Sequence, residues 1–319
     1  MEYRKIIKFG NSSFVVSLPA TWIKKNNLKK GDSLFFEESN NSDLIFRPNN
    51  ITTTIKKRIV ITATSKSLPD LNREIISNYI KGFAVLEIID EQMLTRSKDI
   101  KDLLQNLIGI EILEQTQKRL VAKDLIDIDS ISLSGIVKRM DIIIRSMLDD
   151  SFYCLTSNKK DIEEKIASIH DRDLDVNRLY FLAFRVLRIL MNNPTLAAKK
   201  KLSNSKIFSY SILFDSLEKI ADTIKRSTRQ FPNLKTDQTY KEELMSLLQN
   251  LNNLYIDSMK AYINDDVQLA FSIGSSKDSF IENHNNFLKK YRDVETARLY
   301  DNLNSRLIYI RNIGRMVYQ

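Results

Sequence analysis

Ile136-Val137-Lys138-Arg139-Met140-Asp141-Ile142-Ile143-Ile144-Arg145-Ser146-Met147-Leu148 is the stretch whose periodicity decides the fold. Val137, Met140, Ile144, Met147 and Leu148 recur at helical spacing, so one stripe of a helix is apolar. The pattern continues downstream. Residues 136–319 hold two glycines, Gly274 and Gly314, far fewer than the turns of a many-stranded sheet would need. Breaks near Asn158, Asn192-Asn193-Pro194, Phe231-Pro232-Asn233, Asn264-Asp265-Asp266 and Arg292-Asp293 predict six helices, roughly 133–156, 159–191, 203–230, 236–262, 265–290 and 294–318. Short links make neighbours antiparallel, and each apolar stripe must be buried. Two successive three-helix bundles are therefore expected within 133–319, about 133–230 and 231–319.

Upstream the period changes. In residues 58–130, strands are expected at Arg58–Thr62, Phe83–Ile88, Gly109–Gln115 and Arg119–Lys123, with helices over Pro69–Asn78 and Thr95–Leu107. This is a connecting α+β module of β-α-β-α-β-β type. Residues 1–50 read as a small β domain. Arg4–Phe9 and Ser13–Leu18 are strands about the turn Gly10-Asn11, Pro19–Lys25 is a short helix, and Leu34–Glu38 and Leu44–Arg47 form a hairpin across 39–43. The fold class is mainly α with an α+β N-terminal part.

The chain has 319 residues, 49 Lys plus Arg against 40 Asp plus Glu, a net charge of +9 and 43% hydrophobic residues. That is enough apolar content for real cores. A single cysteine, Cys154, excludes a disulfide framework and multi-cysteine metal sites. Two histidines, His170 and His284, disfavour a histidine-rich metal site; both read as surface or packed residues, and Cys154 as a core thiol. No apolar run reaches the roughly 20 residues of a membrane span. Met1-Glu2-Tyr3-Arg4-Lys5 leads into no apolar signal region, so a cytoplasmic protein without membrane insertion is expected. The positive charge is densest at the start: residues 1–30 hold seven Lys/Arg and one Glu.

Arg4, Lys5 and Lys8 on a strand, Asn11 in its turn, and Lys24 and Lys25 on the short helix form a set that can follow a phosphate backbone. Equally, such charges can be a solvated face, or the module can serve only to dimerise. So short a β module buries little alone, which favours a homodimer. Trp22 and Leu18 read as core. The motifs Phe9-Gly10-Asn11-Ser12-Ser13, Leu18-Pro19-Ala20-Thr21-Trp22 and Leu28-Lys29-Lys30-Gly31-Asp32 resemble the AbrB/MazE/SpoVT swapped-hairpin family. That resemblance implies an obligate dimer with interleaved hairpins, usually one that binds DNA.

In the helical region, Asp173 and Asn177 stand four apart, as do Glu218 and Asp222. Each pair therefore shares a helical face, and if the faces meet, oxygen ligands converge as in carboxylate metal sites. The alternative is an acidic face held by ion pairs with Arg178, Lys219 or Arg226. Asp173 with position 177, and Glu218-Lys219-Ile220-Ala221-Asp222, together with Arg139-Met140 and Arg145-Ser146-Met147-Leu148-Asp149-Asp150, resemble the PhoU family. The likeness is to its archaeal type, in which a swapped-hairpin domain precedes PhoU repeats. It implies control of phosphate uptake and a divalent metal or iron at the first bundle. Asn177 departs from the family's Asp. In the second repeat, Arg311-Asn312-Ile313-Gly314-Arg315 carries arginines where the family has acids. Arg311 and Arg315 are expected to pair with Asp278 and Glu282 in place of a metal.

No G-x-G-x-x-G, G-x-x-x-x-G-K, H-E-x-x-H or G-x-S-x-G occurs, so catalysis is not expected. The leading expectation is a dimeric, DNA-binding, PhoU-like transcriptional regulator of phosphate uptake whose helical domain senses a metal or a partner. The rivals are a PhoU-like adaptor of a phosphate transporter or sensor kinase that does not bind DNA, and a metal-binding protein.

Overall fold

In a computed structural model that describes residues 3–38, 44–48, 58–156, 159–234 and 237–318, the protein forms two compact units, Met1–Ile55 and Lys56–Gln319.

The first unit begins with β1 (Ile7–Phe9) and β2 (Ser13–Val15), antiparallel with Lys8 opposite Phe14. Gly10, at φ +68°, supplies the left-handed turn that joins them. Then come α1 (Ala20–Lys25), which Pro19 precedes in extended conformation, and the hairpin β3 (Phe35–Glu38) with β4 (Leu44–Arg47). The hairpin is the expected one, and its tip, 39–43, lies outside the described residues. β1 and β2 are shorter than the expected Arg4–Phe9 and Ser13–Leu18, since only three residues on each side find a ladder partner. None of the unit's described residues is buried. Trp22 and Leu18, expected in a core, are only half-buried, while Ile7, Phe9, Phe14 and Phe36 are 60–69% exposed.

The second unit opens with the α+β module: β5 (Arg58–Thr62), α2 (Leu68–Ile80), β6 (Val85–Ile89), α3 (Met93–Gln105), β7 (Ile110–Gln115) and β8 (Arg119–Asp124). The sheet order is β5-β6-β8-β7, with β5 parallel to β6 and the other pairs antiparallel. A parallel pair needs a crossover, and α2 provides it. Ser67 caps α2, its Oγ accepting from the Asp70 N–H. Ile61, Leu86, Ile88, Leu120 and Ala122 of the strands bury against Leu71, Ile75 and Tyr79 of α2 and Met93, Ile100 and Leu104 of α3.

The helical part runs α4 (Leu133–Cys154), α5 (Lys159–Asn192), α6 (Pro194–Lys199), α7 (Asn204–Gln230), a single 3-10 turn at Phe231–Asn233, α8 (Gln238–Asn264), α9 (Val267–Ser275), α10 (Lys277–Lys290) and α11 (Val294–Arg315). Ser132, Ser203, Asp237, Asp266 and Asp293 cap α4, α7, α8, α9 and α11. The helix expected over 265–290 is broken at Ser276. There Ser276 is both the C-cap of α9 and the N-cap of α10, and the Ser275 and Ser276 hydroxyls donate back to the carbonyls of Phe271 and Ile273. A short helix, α6, capped by Asn193, was also not expected.

α4, α5 and α7 pack on one another, and α11 lies along α7. One hydrophobic cluster runs from Leu133 to Ile313 through both expected bundles. The two bundles therefore share a core, because α7 buries Leu213, Leu217, Ile220 and Ile224 together with Ser216, Thr223 and Ser227, a face wide enough for two sets of neighbours. Nor does the α+β module stand apart. Arg185 of α5, 2% exposed, donates to the carbonyls of Tyr79 and Phe83. It also pairs with the Asp124 carboxylate and lies 4.7 Å from the centre of the Tyr79 ring.

Candidate functional site

Two places carry the residues singled out by sequence. In the first unit, Arg4, Lys5, Lys8, Asn11, Lys24 and Lys25 are all exposed. Lys24 and Lys25 occupy the last turn of α1, where the helix dipole favours cations. Strand alternation sets Lys8 and Phe14 on one face of the β1–β2 hairpin and Ile7, Phe9 and Val15 on the other. Both faces thus present uncovered apolar side chains, and one carries a cation beside them.

In the second unit, α5 and α7 are packed partners, and the candidate carboxylates do meet. The centre of the meeting is Lys225. Its Nζ lies 2.6 Å from Asp173 Oδ2 on α5 and 3.0 Å from Asp222 Oδ1 on α7. The Asp173 side chain is 2% exposed, and those of Lys225 and Asp222 are 16% exposed. Burial disfavours the ammonium charge, but the two carboxylates outweigh it and hold the Lys225 pKa above the ordinary lysine value. Asn177 turns its amide Nδ2 toward the same Asp173 Oδ2, at 3.4 Å. Asp222 Oδ2 pairs with Arg226 at 2.6 Å. Glu218, one turn earlier, pairs with Lys219 at 3.0 Å, and burial raises its carboxyl pKa.

These residues do not fit a divalent metal. Its oxygen ligands would stand about 2.0–2.6 Å away, and between the two aspartates that space holds an ammonium. Asn177 is neutral and supplies no charge to offset a divalent ion, and its Nδ2 is turned toward Asp173. Among the described residues, no three of His, Cys, Asp and Glu are grouped to hold a metal ion. The ion pairs with Lys219 and Arg226 were legible as local spacings. Lys225 was missed, although its i+3 relation to Asp222 was a usable signal.

In the second repeat, Arg311 and Arg315 do not pair with Asp278 and Glu282. Asp278 and Glu282 are exposed, about 200° around α10 from the buried Phe280 and His284 at 100° per residue. Arg311 and Arg315 instead line a small cleft with Ala270, Ile273 and Gly274 of α9.

His170 is half-buried, with Nδ1 3.2 Å from Arg229 Nη2. Cys154 is a buried thiol whose pKa burial pushes up to about 11. His284 is 2% exposed, ringed by Phe280 and Tyr300, and burial pulls its pKa down to about 4. The unfolded imidazole titrates near 6.5. Stability from this residue is therefore complete above about 6.5 and is lost as pH falls toward 4. Between pH 7 and 5, His284 is expected to account for a loss of about 2 kcal/mol, which His284→Phe should abolish in urea unfolding followed by circular dichroism. An equal pH dependence in both proteins would show that the imidazole finds a way to protonate inside the fold.

With this geometry in place, the comparisons with known proteins divide along the chain. Residues 137–229, from α4 to the end of α7, match the PhoU domain. This is the segment that carries the Asp173–Lys225–Asp222 cluster. Residues 7–53 match the domain described as antidote-toxin recognition MazE, bacterial antitoxin. The crystal structure of PhoU from Pseudomonas aeruginosa is similar at 14% identity and a TM-score of 0.49, covering 58% of this chain and 93% of that one. No curated protein matches the chain. Among the described residues, no helix is long and apolar enough to cross a membrane. The helices that match the PhoU domain thus follow a chain segment that matches an antitoxin's recognition domain.

Proposed function

We propose that this protein is a PhoU-like regulator of phosphate uptake that dimerises through its N-terminal unit and binds DNA with it, acting by binding in the cytoplasm rather than by catalysis. The observation that carries the reading is a unit with no buried residue among those described, which leaves Ile7, Phe9, Phe14 and Phe36 at least 60% exposed. A chain of this size without a core folds by sharing one, and a second copy supplies it. The match of residues 7–53 to the MazE domain supports that dimer. The seven Lys/Arg against one Glu in residues 1–30 support a polyanion as its ligand. The PhoU-domain match supports phosphate uptake as the process controlled, with the helical unit receiving the input from a partner.

DNA recovered with the protein from cells, then titrated by fluorescence anisotropy at several salt concentrations, tests this. Binding should fall linearly in log–log form with salt. Arg4→Glu with Lys8→Glu removes two cations from each of two protomers and should reduce the slope by about four, while sedimentation still reports a dimer. A dimer that binds no DNA at low salt would overturn the reading and leave an adaptor of a phosphate transporter or sensor kinase.

A further inference from the structure

We infer that Lys225 is a tethered cation occupying the position between α5 and α7 where a metal would otherwise sit, so that the first bundle is closed to divalent ions and needs none. The arrangement carries three marks of a built counter-ion rather than a surface pair. First, the ammonium bridges two helices, at 2.6 Å from Asp173 and 3.0 Å from Asp222. Second, the Asp173 side chain is 2% exposed, so it has little water to solvate its charge and depends on a fixed partner. Third, the residue one turn along α5 is Asn177, neutral, with its amide nitrogen toward Asp173. Within this group of Asp173, Asp222, Lys225 and Asn177, the formal charges sum to −1, and Arg226 at 2.6 Å from Asp222 Oδ2 brings the sum to zero. A divalent ion entering would have to expel Lys225 from a partly desolvated pair and would then find the carboxylates of Asp173 and Asp222, with Glu218 engaged by Lys219 and Asp222 still paired with Arg226. Removing one partner of a buried pair is strongly unfavourable, since the other charge is left uncompensated.

The inference predicts how the site can be converted. Lys225→Gln with Asn177→Asp deletes the ammonium and adds a third carboxylate, so that positions 173, 177 and 222 all offer carboxylate oxygens to an ion. Calorimetric titration with manganese, repeated with magnesium, zinc and ferrous iron, should show no binding and no shift in thermal midpoint for the wild-type chain. The double variant should bind about one manganese ion per chain and gain several degrees when it does. Stoichiometric binding by the wild type that disappears in Asp173→Asn would overturn the inference. So would a folded double variant blind to every ion, because Lys225 would then not be holding a metal position. If the double variant does not fold, the wild-type titration with its Asp173→Asn control decides alone.

Discussion

Arg185→Met is expected to lower the unfolding free energy by about 3–5 kcal/mol, the largest effect of any single substitution outside the apolar core. The guanidinium is 2% exposed and holds together groups far apart in sequence: the carbonyls of Tyr79 and Phe83 and the carboxylate of Asp124. Methionine fills much of the volume but leaves Asp124, 7% exposed on its side chain, charged and without its cation. Arg306 makes the internal contrast. It is 1% exposed, donates to the Thr223 carbonyl at 3.1 Å and the Ser227 hydroxyl at 2.6 Å, and meets no carboxylate among the described residues. Burial pulls its pKa down to about 9. Both acceptors are already engaged within α7, so Arg306→Met leaves no orphaned charge and should change stability by less than about 1 kcal/mol. Urea unfolding followed by helical circular dichroism reads both, because Trp22, the sole tryptophan, lies in the other unit. Equal losses for the two variants would mean that volume, not charge pairing, sets the cost at Arg185.

Gly109→Ala should be nearly as damaging, at about 2–5 kcal/mol. Gly109 has φ +79°, which costs an L-residue about 1–2 kcal/mol. A Cβ there would also overlap Cγ1 and Cδ1 of Ile126, and overpacking adds about 1–3 kcal/mol. The position matters because the Gly109 carbonyl accepts from Leu125 N–H at 2.8 Å, which fixes where β7 starts against the end of β8. Gly274, inside α9 with open space at its Cβ, is the matched control, and Gly274→Ala should stabilise by about 0.5–1 kcal/mol. A Gly109→Ala protein as stable as the wild type in the same denaturation would show that Ile126 turns aside at no cost and that the backbone relaxes.

The elements that were legible in the sequence are those whose signal is local. The stripe Val137, Met140, Ile144, Met147 and Leu148 is buried on α4, and the β-α-β-α-β-β order of residues 58–124 is the one observed. The break at Ser276 was not legible, because the buried spacing of Ala270, Ile273, Phe280 and Phe287 runs through it at helical period. The carboxylate site was half legible. Helical spacing put Asp173 with Asn177 on one face and Glu218 with Asp222 on another, but whether those faces meet was left open, and the structure brings Asp173 and Asp222 together. What stands between them was not legible, because the expectation was built from acids, and Lys225 belonged to no acidic pattern.

Sequence alone determined the fold class, the element order of residues 58–124 and the concentration of positive charge at the N-terminus, because periodicity and charge density are properties of neighbours in the chain. Tertiary structure decided the rest. The two helical bundles share one core along α7 and α11, the α+β module is locked to α5 by Arg185, and Arg311 and Arg315 face α9 instead of Asp278 and Glu282. Each of these depends on which faces meet across dozens of residues. Helix rotation and side-chain reach set that, and no local pattern encodes them.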